Sequence, residues 1–299
     1  MAEPIHAILG ATGHVGGGIA DRLLAQKRRV RVVGRDPAKL KRFADRGAEV
    51  ALASVEDAGA LGKALAGAGS AFVLLPPNAA VADFRGYQRR LVDALDAALR
   101  AAKVGYVATL SSIGAYRPDR NGPIAGLYEL EQRLDRLGAN VLHLRPGYFM
   151  ENTFMSLGMI KGMGMNGSAI RGDLPMQMIA TPDIAEVGAR RIAALDWKGS
   201  EVLELMGPRD VTLTEATAAL GKAIGKPDLR YVQFPYEDAK KGLMGLGLQE
   251  QISDLYVEMS RGFNEGAVKA TQPRSPATTT PTSIETFAEK VFAPAFRAG

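Results

Sequence analysis

Cysteine is missing from this sequence of 299 residues, and histidine is scarce. A chain without cysteine forms no disulfide, holds no metal through thiolates and has no cysteine nucleophile, as is common in a reducing compartment. The three histidines, His6, His14 and His143, are scattered, two of them within predicted strands and one in the first turn. We therefore expect no metal site, and a cytoplasmic location.

Long hydrophobic runs and a large charge of one sign are missing as well. No apolar run approaches the roughly 20 residues of a membrane span. The first apolar run, Ile5–Leu9, belongs to the fold, so we expect no secretory leader. The net charge is only +5, and basic residues stand near acidic ones, which favours a solvated surface over nucleic-acid binding. We expect neither a membrane nor a nucleic acid as partner, and a monomer or a homodimer.

A glycine-rich turn follows the first apolar run. Ile5–Leu9 is typical of a buried strand, Gly10, Gly13 and Gly16 punctuate the turn, and a helical pattern leads to a second strand at 30–33. In a dinucleotide-binding βαβ unit, three such glycines allow the tight turn, the approach of the diphosphate and close helix packing. The predicted cofactor contacts of this loop are Gly10, Thr12, Gly13, His14, Val15 and Gly16.

The end of the second predicted strand indicates which dinucleotide is preferred. An enzyme that prefers NAD carries a carboxylate here, but Gly34 takes that place. Asp36 before Pro37 is typical of a helix start, with Asp as the cap and Pro at the first helical position. Arg35, with Lys39, is then free to bind a 2′-phosphate, which favours NADP(H) over NAD(H). An ordinary surface arginine is the alternative.

Strands and helices alternate along most of the chain. Further strands are predicted at 49–53, 71–75, 106–110, 140–144 and 201–205, and a long helix at 79–103. The alternation predicts the α/β class, with a doubly wound parallel sheet and right-handed crossovers. We expect a dinucleotide-binding domain at 1–150, completed by about 179–210, and a smaller substrate lobe from 151–178 and 211–299.

Ligands of such sheets bind at the carboxyl ends of the strands. We therefore expect Ser54 and Val55, after the third strand, to border an adenine. The same rule assigns the ends of the fourth and fifth strands to the cofactor edge, with the residues Leu75, Pro76 and Ser111. Ser111 and Ser112 have an alternative, since hydroxyls at a strand end also satisfy loose backbone groups.

Four motifs resemble the NmrA-like branch of the atypical short-chain dehydrogenase/reductases. They are Gly10–Gly16, Leu110–Gly114, Arg145–Asn152 and Asp183–Ala185, and the resemblance covers nearly the whole chain. That family contains NAD(P)H-dependent quinone and azo-dye reductases, isoflavone-reductase-like enzymes and regulators that bind the dinucleotide without turning it over. The resemblance implies a Rossmann fold and an NAD(P) cofactor. It also implies that the nicotinamide lies beside Pro146, Tyr148 and Phe149.

Ordinary short-chain reductases use a Tyr-x-x-x-Lys pair, and this chain departs from that pattern. Tyr128 matches the tyrosine, but Gln132 takes the place of the lysine, and a neutral amide does not stabilise a phenolate. The resemblance implies Tyr128 and Ser111 as catalytic candidates. A tyrosine that simply lines the cleft is the alternative for Tyr128. Glu131, three residues after Tyr128, is either a buried acid or a solvated helix residue, and the second is favoured.

Methionine and glycine crowd the segment from Met150 to Met178. Adaptable methionines suit a flexible wall for a flat apolar substrate, while core packing is the alternative. A second flap is expected at 114–126, and an extended arm at 270–282. The substrate candidates are Ser112, Phe149, Asn152, Met155 and Met159.

Two functions remain open at this level. The first is an NADPH-dependent oxidoreductase that transfers a hydride directly to a quinone, an azo compound or a conjugated carbonyl. Such small apolar or aromatic acceptors become stabilised anions and need little help from a protein acid. The second is a non-catalytic regulator that senses NAD(P) and binds a protein partner, which the missing lysine favours.

Overall fold

The computed structural model describes residues 3–298 and is organised around a parallel sheet of seven strands. The strands are β1 (Ile5–Leu9), β2 (Val30–Gly34), β3 (Glu49–Leu52), β4 (Ala68–Val73), β5 (Tyr106–Leu110), β6 (Asn140–Pro146), β7 (Tyr148–Phe149), β8 (Met165–Ser168), β9 (Met176–Ile179), β10 (Ser200–Leu205), β11 (Asp210–Val211) and β12 (Arg230–Gln233). The large sheet has the order β10-β6-β5-β4-β1-β2-β3. This is the predicted doubly wound order, with its switch point between β1 and β4.

The helices cover both faces of the large sheet and build most of the remaining chain. They are α1 (His14–Ala25), α2 (Pro37–Ala44), α3 (Ala58–Leu65), α4 (Phe84–Ala102), α5 (Ala125–Leu134), α6 (Leu157–Met163), α7 (Thr181–Ala194), α8 (Leu213–Ala223), α9 (Tyr236–Gly245), α10 (Glu250–Asn264), α11 (Ile284–Phe287) and α12 (Ala293–Ala298). Two 3₁₀ segments, Gly122–Ile124 and Met150–Ser156, and a π-helical turn, Ala288–Phe292, complete the described elements. Among residues 3–298, none of these helices has the length and apolar character needed to cross a membrane.

The alternation of side chains in β1 shows why both faces of the sheet are buried. Ile8 packs into the core that α1 and α7 cover, where it meets Ile19 and Ile184. Ala7 and Leu9 point to the opposite face, into the core formed with α3 and α4. Four of the five residues of this parallel strand are therefore apolar, with the buried His6 as the exception, which explains the nearly continuous apolar run in the sequence.

A second unit lies around two small sheets, with the orders β11-β9-β7 and β12-β8. Its core is built on helices α8 and α11 and on side chains that include Met150, Met176, Met178 and Phe287. Core packing is thus the role of these three methionines. The predicted domain boundaries and the substrate role of this lobe stay predictions.

The structure corrects the predicted boundaries of the fourth strand and the long helix. β4 ends at Val73, so Leu74 and Leu75 lie beyond the strand. Helix α4 begins at Phe84, because the side chain of Asp83 accepts a hydrogen bond from the backbone of Gly86 at 2.8 Å and caps the helix there. The residues between these two elements form the connection that borders the cleft.

The predicted arm at 270–282 is extended and lies along the end of β10. The buried carboxylate of Glu204 accepts hydrogen bonds from the backbone of Thr271 and Gln272, at 2.5 and 2.7 Å. Farther along, Thr279 forms a single β-bridge with Met206. A buried carboxylate therefore fixes a segment that has little regular structure of its own.

Candidate cofactor cleft and acceptor site

The glycine-rich loop makes a tight turn from β1 into α1. Gly10 has a φ of +67°, a conformation that side chains disfavour, and its carbonyl accepts a hydrogen bond from Gly13 at 2.9 Å. A Cβ atom on Gly16 would lie 2.5 Å from that same carbonyl oxygen. Glycine at position 16 therefore allows α1 to pack directly on the loop.

The start of α1 is suited to an anion. Gly13 is the N-cap and supplies no side-chain hydrogen bond to the first turn, and that turn contains no acidic residue. The first amides of the helix and the positive end of its dipole are therefore available to a diphosphate. Together with the close backbone packing at Gly16, this arrangement fits a dinucleotide.

A cavity of about 370 Å³ lies at the carboxyl ends of β1, β2, β3 and β4. It brings together seven of the predicted cofactor residues, Gly10, Thr12, Arg35, Lys39, Ser54, Val55 and Pro76. Leu75 packs beside it, against the cluster formed by Phe84, Tyr87 and Leu91. Of the remaining predicted contacts, Gly13, His14, Val15 and Gly16 belong to the start of α1, whereas Ser111, Pro146, Tyr148 and Phe149 lie farther along the sheet edge.

Arg35 lies at the mouth of this cavity, directly after β2. Its side chain is exposed and forms no hydrogen bond or ion pair with any residue between 3 and 298. Asp36 does not oppose it, because its carboxylate accepts the amide of Ala38 at 2.9 Å and caps α2, as predicted. A free guanidinium therefore faces the cavity, with the Lys39 ammonium 3.9 Å from Asp36.

Sequence reasoning missed Leu74 and Tyr87 as residues that line the cavity. The Leu74 side chain covers the turn at Gly10, where an added Cβ would meet it at 2.6 Å. Tyr87 donates a hydrogen bond to the carbonyl of Pro76 at 3.2 Å, and burial raises the pKa of its phenol. Leu74 was missed because the predicted strand ended too late. Tyr87 belongs to the apolar face of α4 and gave no separate signal.

A buried cluster of Ser111, Glu131 and Arg145 lies between β5, β6 and α5. Arg145 binds the Glu131 carboxylate through two nitrogens at 2.9 and 2.5 Å, and Ser111 donates to the same carboxylate at 2.5 Å. Burial, the largest single effect, lowers the pKa of Arg145, but the hydrogen bond to Glu131 and the charges of the nearby carboxylates together outweigh it, so the pKa is raised. Because its proton is directed to Glu131, Ser111 presents only lone pairs to any other group.

The prediction that Glu131 is a solvated helix residue is wrong, since it is only 2% exposed. One helical turn later, Asp135 makes a parallel contact, accepting from His143 at 2.9 Å, while His143 also bonds Thr109 at 2.9 Å. The hydrogen bond from His143 lowers the pKa of Asp135. We call these two rungs the polar ladder of α5, defined by Ser111, Glu131 and Arg145 and by Thr109, Asp135 and His143.

The polar ladder also decides where Tyr128 points. Glu131 and Asp135 hold one face of α5 against the sheet, and Tyr128 lies towards α4, beside the exposed Gln132. Tyr128 lines a separate surface depression of about 400 Å³ with Arg89 and Asp93. The structure therefore does not bring Tyr128 to the cavity of the glycine-rich loop, which corrects its predicted place in the cleft.

Tyr148 and Phe149 follow β6 and connect the large sheet with the second unit. Phe149 packs against the core of the sheet and Tyr148 against the core of the lobe. The ring of Tyr148 lies edge-on to Phe263, with centroids 6.1 Å apart. Burial raises the pKa of the Tyr148 phenol, against the opposing effect of a hydrogen bond with Asn152. The phenol is therefore protonated at neutral pH.

The remaining predicted substrate residues are distributed unevenly. Met155 is 50% exposed and Met159 is half-buried. Ser112 follows the end of β5 and is also half-buried. The methionine-rich segment is thus divided, with buried core residues at both ends and surface residues in the middle.

Two acidic residues of the motifs that resemble the NmrA-like family form hydrogen bonds that hold segments of the chain together. Glu151 accepts hydrogen bonds from the backbone and the hydroxyl of Thr181, at 2.9 and 2.6 Å. Asp183 does the same for Thr282, at 3.0 and 2.8 Å. These carboxylates tie the start of α7 to the 3₁₀ segment after β7 and to the end of the arm.

The fold and the cleft define a dinucleotide-binding α/β protein of the atypical short-chain dehydrogenase/reductase type. The chain matches the NmrA-like family over residues 5–288 and belongs to that family. The sequence prediction of family and fold is confirmed.

Three similar proteins illustrate this membership. The chain is 30% identical to an NAD(P)H azoreductase of Xenophilus azovorans, covering 84% of this chain and 85% of the relative. It is 31% identical to (4-alkanoyl-5-oxo-2,5-dihydrofuran-3-yl)methyl phosphate reductase of Streptomyces griseus, covering 79% of each chain. The crystal structure of the NADPH-dependent quinone oxidoreductase of Escherichia coli, complexed with NADPH, superposes with a TM-score of 0.80 at 25% identity, covering 96% of this chain and 99% of that one.

Proposed function

We propose that this NAD(P)H-dependent reductase of the NmrA-like family uses NADPH in preference to NADH and reduces a quinone, an azo compound or a conjugated carbonyl. The observation that carries the coenzyme preference is the free guanidinium of Arg35 in the cavity of the glycine-rich loop. The names of the curated relatives, an azoreductase and a furanone-phosphate reductase, support the reaction class. A quinone oxidoreductase with the same fold supports the acceptor class.

The residues present fit a phosphorylated nicotinamide dinucleotide. The loop from Gly10 and the first amides of α1 hold the diphosphate, and Arg35 with Lys39 holds the 2′-phosphate. Ser54 and Val55 border the adenine. The end of β6 borders the nicotinamide, through Pro146, Tyr148 and Phe149. When bound, the reduced cofactor supplies the hydride.

The chain itself contributes orientation and exclusion of water rather than a strong acid. Tyr128 lies outside the cleft, and the proton of Ser111 is directed to Glu131. An acceptor whose added electrons spread over an aromatic or conjugated system suits such a site. Holding the acceptor flat against the nicotinamide accounts for most of the catalysis expected here.

A second candidate function is a regulator that binds the dinucleotide without turnover. The observation that favours it is the loss of the Tyr-x-x-x-Lys pair, since Gln132 is exposed and Tyr128 lies in another depression. Such a sensor must bind NADPH and NADP⁺ with different affinities, because a ligand shifts a state only through differential binding.

The test is oxidation of NADPH with a panel of quinones, azo dyes and simple aliphatic aldehydes. We expect steady turnover with quinones or azo dyes and much slower turnover with aldehydes, whose alkoxide product needs a proton at once. No turnover with any acceptor would contradict the reductase. Unequal affinities for NADPH and NADP⁺ in that case would favour the regulator.

A further inference from the structure

The surface depression that contains Tyr128 lies between α4 and α5, apart from the cavity of the glycine-rich loop. Its volume of about 400 Å³ is within the range of small-molecule sites, about 300–1,000 Å³. Helix α4 lines it with Arg89, Val92 and Asp93, which share one face of the helix. Helix α5 and the turn after it line it with Tyr128, Glu129, Gln132, Arg133 and Arg136. The proposed reductase reaction uses none of these residues.

Two contacts show how the helices are aligned along this depression. Arg133 binds the carboxylate of Asp93 at 3.0 Å, and Arg100, farther along α4, donates to the carbonyl of Arg136 at 2.9 Å. The two helices therefore lie side by side and run in the same direction. Arg89 lies one helical turn before the ion pair and Arg136 lies three residues after it. At 1.5 Å per residue, the two arginines are about 10 Å apart along the helix axes.

The acidic residues that line the depression are already paired. Asp93 is held in the ion pair just described, and Glu129 is bound at 2.7 Å by Arg85, which does not line the depression. Arg89 and Arg136 are exposed, and their side chains form no hydrogen bond or ion pair with any residue between 3 and 298. The depression therefore presents two positive charges that no carboxylate of the described chain binds.

An unpaired arginine on a surface is not by itself a site. Arg90, Arg190 and Arg230 are also unpaired within the described chain, but they line neither this depression nor the cavity of the glycine-rich loop. In that cavity, the unpaired arginine is Arg35. The depression between α4 and α5 combines the same two features, a concave surface and free guanidinium groups, and it has two such groups instead of one.

The middle of the depression suits a flat apolar group. Val92 is only 3% exposed, and the half-buried ring of Tyr128 lines the same space. At the two ends, each guanidinium presents a planar pair of N–H donors that matches a carboxylate. Each also carries one positive charge, which a carboxylate balances, whereas a phosphate monoester carries about −1.5 to −2 near neutral pH.

We propose that the depression between α4 and α5 binds an aromatic dicarboxylate, with one carboxylate on Arg89 and the other on Arg136. The ring of the ligand lies over Val92 and beside Tyr128. The exposed amide of Gln132 adds a donor and an acceptor for a polar substituent. This inference goes beyond the proposed function, because the site lies outside the cavity of the glycine-rich loop and its test needs no turnover.

The test is calorimetric titration with terephthalate, a flat dicarboxylate. The wild type should bind it with a dissociation constant below about 10 mM. Arg89→Ala and Arg136→Ala should each bind it about threefold to tenfold more weakly, as expected for charge-assisted hydrogen bonds at a partly exposed site. Arg90→Ala is the matched control, since it removes an unpaired arginine of α4 outside the depression, and it should change the affinity less than about twofold.

Further measurements locate the ligand. Arg35→Ala should bind terephthalate as the wild type does, whereas loss of binding there would assign the ligand to the cavity of the glycine-rich loop and overturn the inference. Equal losses in Arg89→Ala, Arg136→Ala and Arg90→Ala, or no binding to the wild type, would overturn it as well. If sedimentation showed a wild-type dimer that Arg136→Ala converts to a monomer, the depression would belong to a second copy of the chain. Both depression variants should unfold at the wild-type urea concentration, because neither arginine is paired.

Discussion

At the residue scale, the polar ladder of α5 explains why this helix, which lacks the Tyr-x-x-x-Lys pair, supplies no proton donor to the cleft. The helix that carries this pair in ordinary short-chain reductases here directs Glu131 and Asp135 at the sheet. Glu131 accepts three hydrogen bonds and is fully paired by Arg145, so it is buried as an ion. The same residues that fix α5 therefore remove Ser111 as a proton donor.

Replacing Glu131 by Gln tests this account of the ladder. The buried guanidinium of Arg145 then loses its ionised partner, and we expect the free energy of unfolding at pH 7 to fall by about 3–5 kcal/mol in urea denaturation. The matched control is Glu129→Gln on the same helix, whose pair with Arg85 is partly exposed. That control should lose less than about 1 kcal/mol. If both variants lost a similarly small amount of unfolding free energy, the buried Glu131–Arg145 pair would stabilise the protein no more than the exposed pair does.

At the element scale, the junction of β1 and α1 depends on backbone atoms lying in contact. Position 16 has no room for a Cβ, because the carbonyl oxygens of Gly10 and Leu9 would lie 2.5 and 2.7 Å away. These atoms are fixed by the turn and by the sheet, so they have little freedom to move. The distance between the helix and the strand is therefore set by glycine.

The variant Gly16→Ala forces α1 away from the loop. We expect it to destabilise the protein by about 1–3 kcal/mol in denaturant unfolding and to weaken NADPH binding, since the first-turn amides move. Gly62→Ala on α3 is the control, because its nearest neighbour would lie at an ordinary 3.7 Å. Alanine there should stabilise by up to about 1 kcal/mol. Normal NADPH affinity in Gly16→Ala would contradict the role assigned to the junction.

At the scale of the whole molecule, local patterns predicted the sheet well. The seven strands of the large sheet were each predicted from a short apolar run. The N-cap at Asp36 could also be predicted, because a capping residue and the proline after it are local signals in the sequence. The end of β4 could not be predicted, since Leu74 and Leu75 are as apolar as the strand itself.

Contacts between distant segments could not be predicted. On its helix, Glu131 has the sequence spacing of a surface residue. It is buried because Arg145 of β6 forms an ion pair with it in the folded molecule. The contact of α10 with the cavity likewise joins parts of the chain more than 150 residues apart, as in the bond from Arg85 to Gln251.

The central claim is that the cavity binds a phosphorylated nicotinamide dinucleotide, with Arg35 on the 2′-phosphate. Its most direct test is titration of wild type, Arg35→Ala and the control Arg29→Ala with NADPH and NADH. Arg29 precedes β2 at the opposite edge of the sheet, in an ion pair with Glu49. We expect wild type and Arg29→Ala to bind NADPH more tightly than NADH. The Arg35→Ala variant should lose about tenfold to a hundredfold in affinity for NADPH but little in affinity for NADH. Equal affinities of wild type for the two coenzymes, or an Arg35→Ala variant with undiminished NADPH binding, would contradict the account.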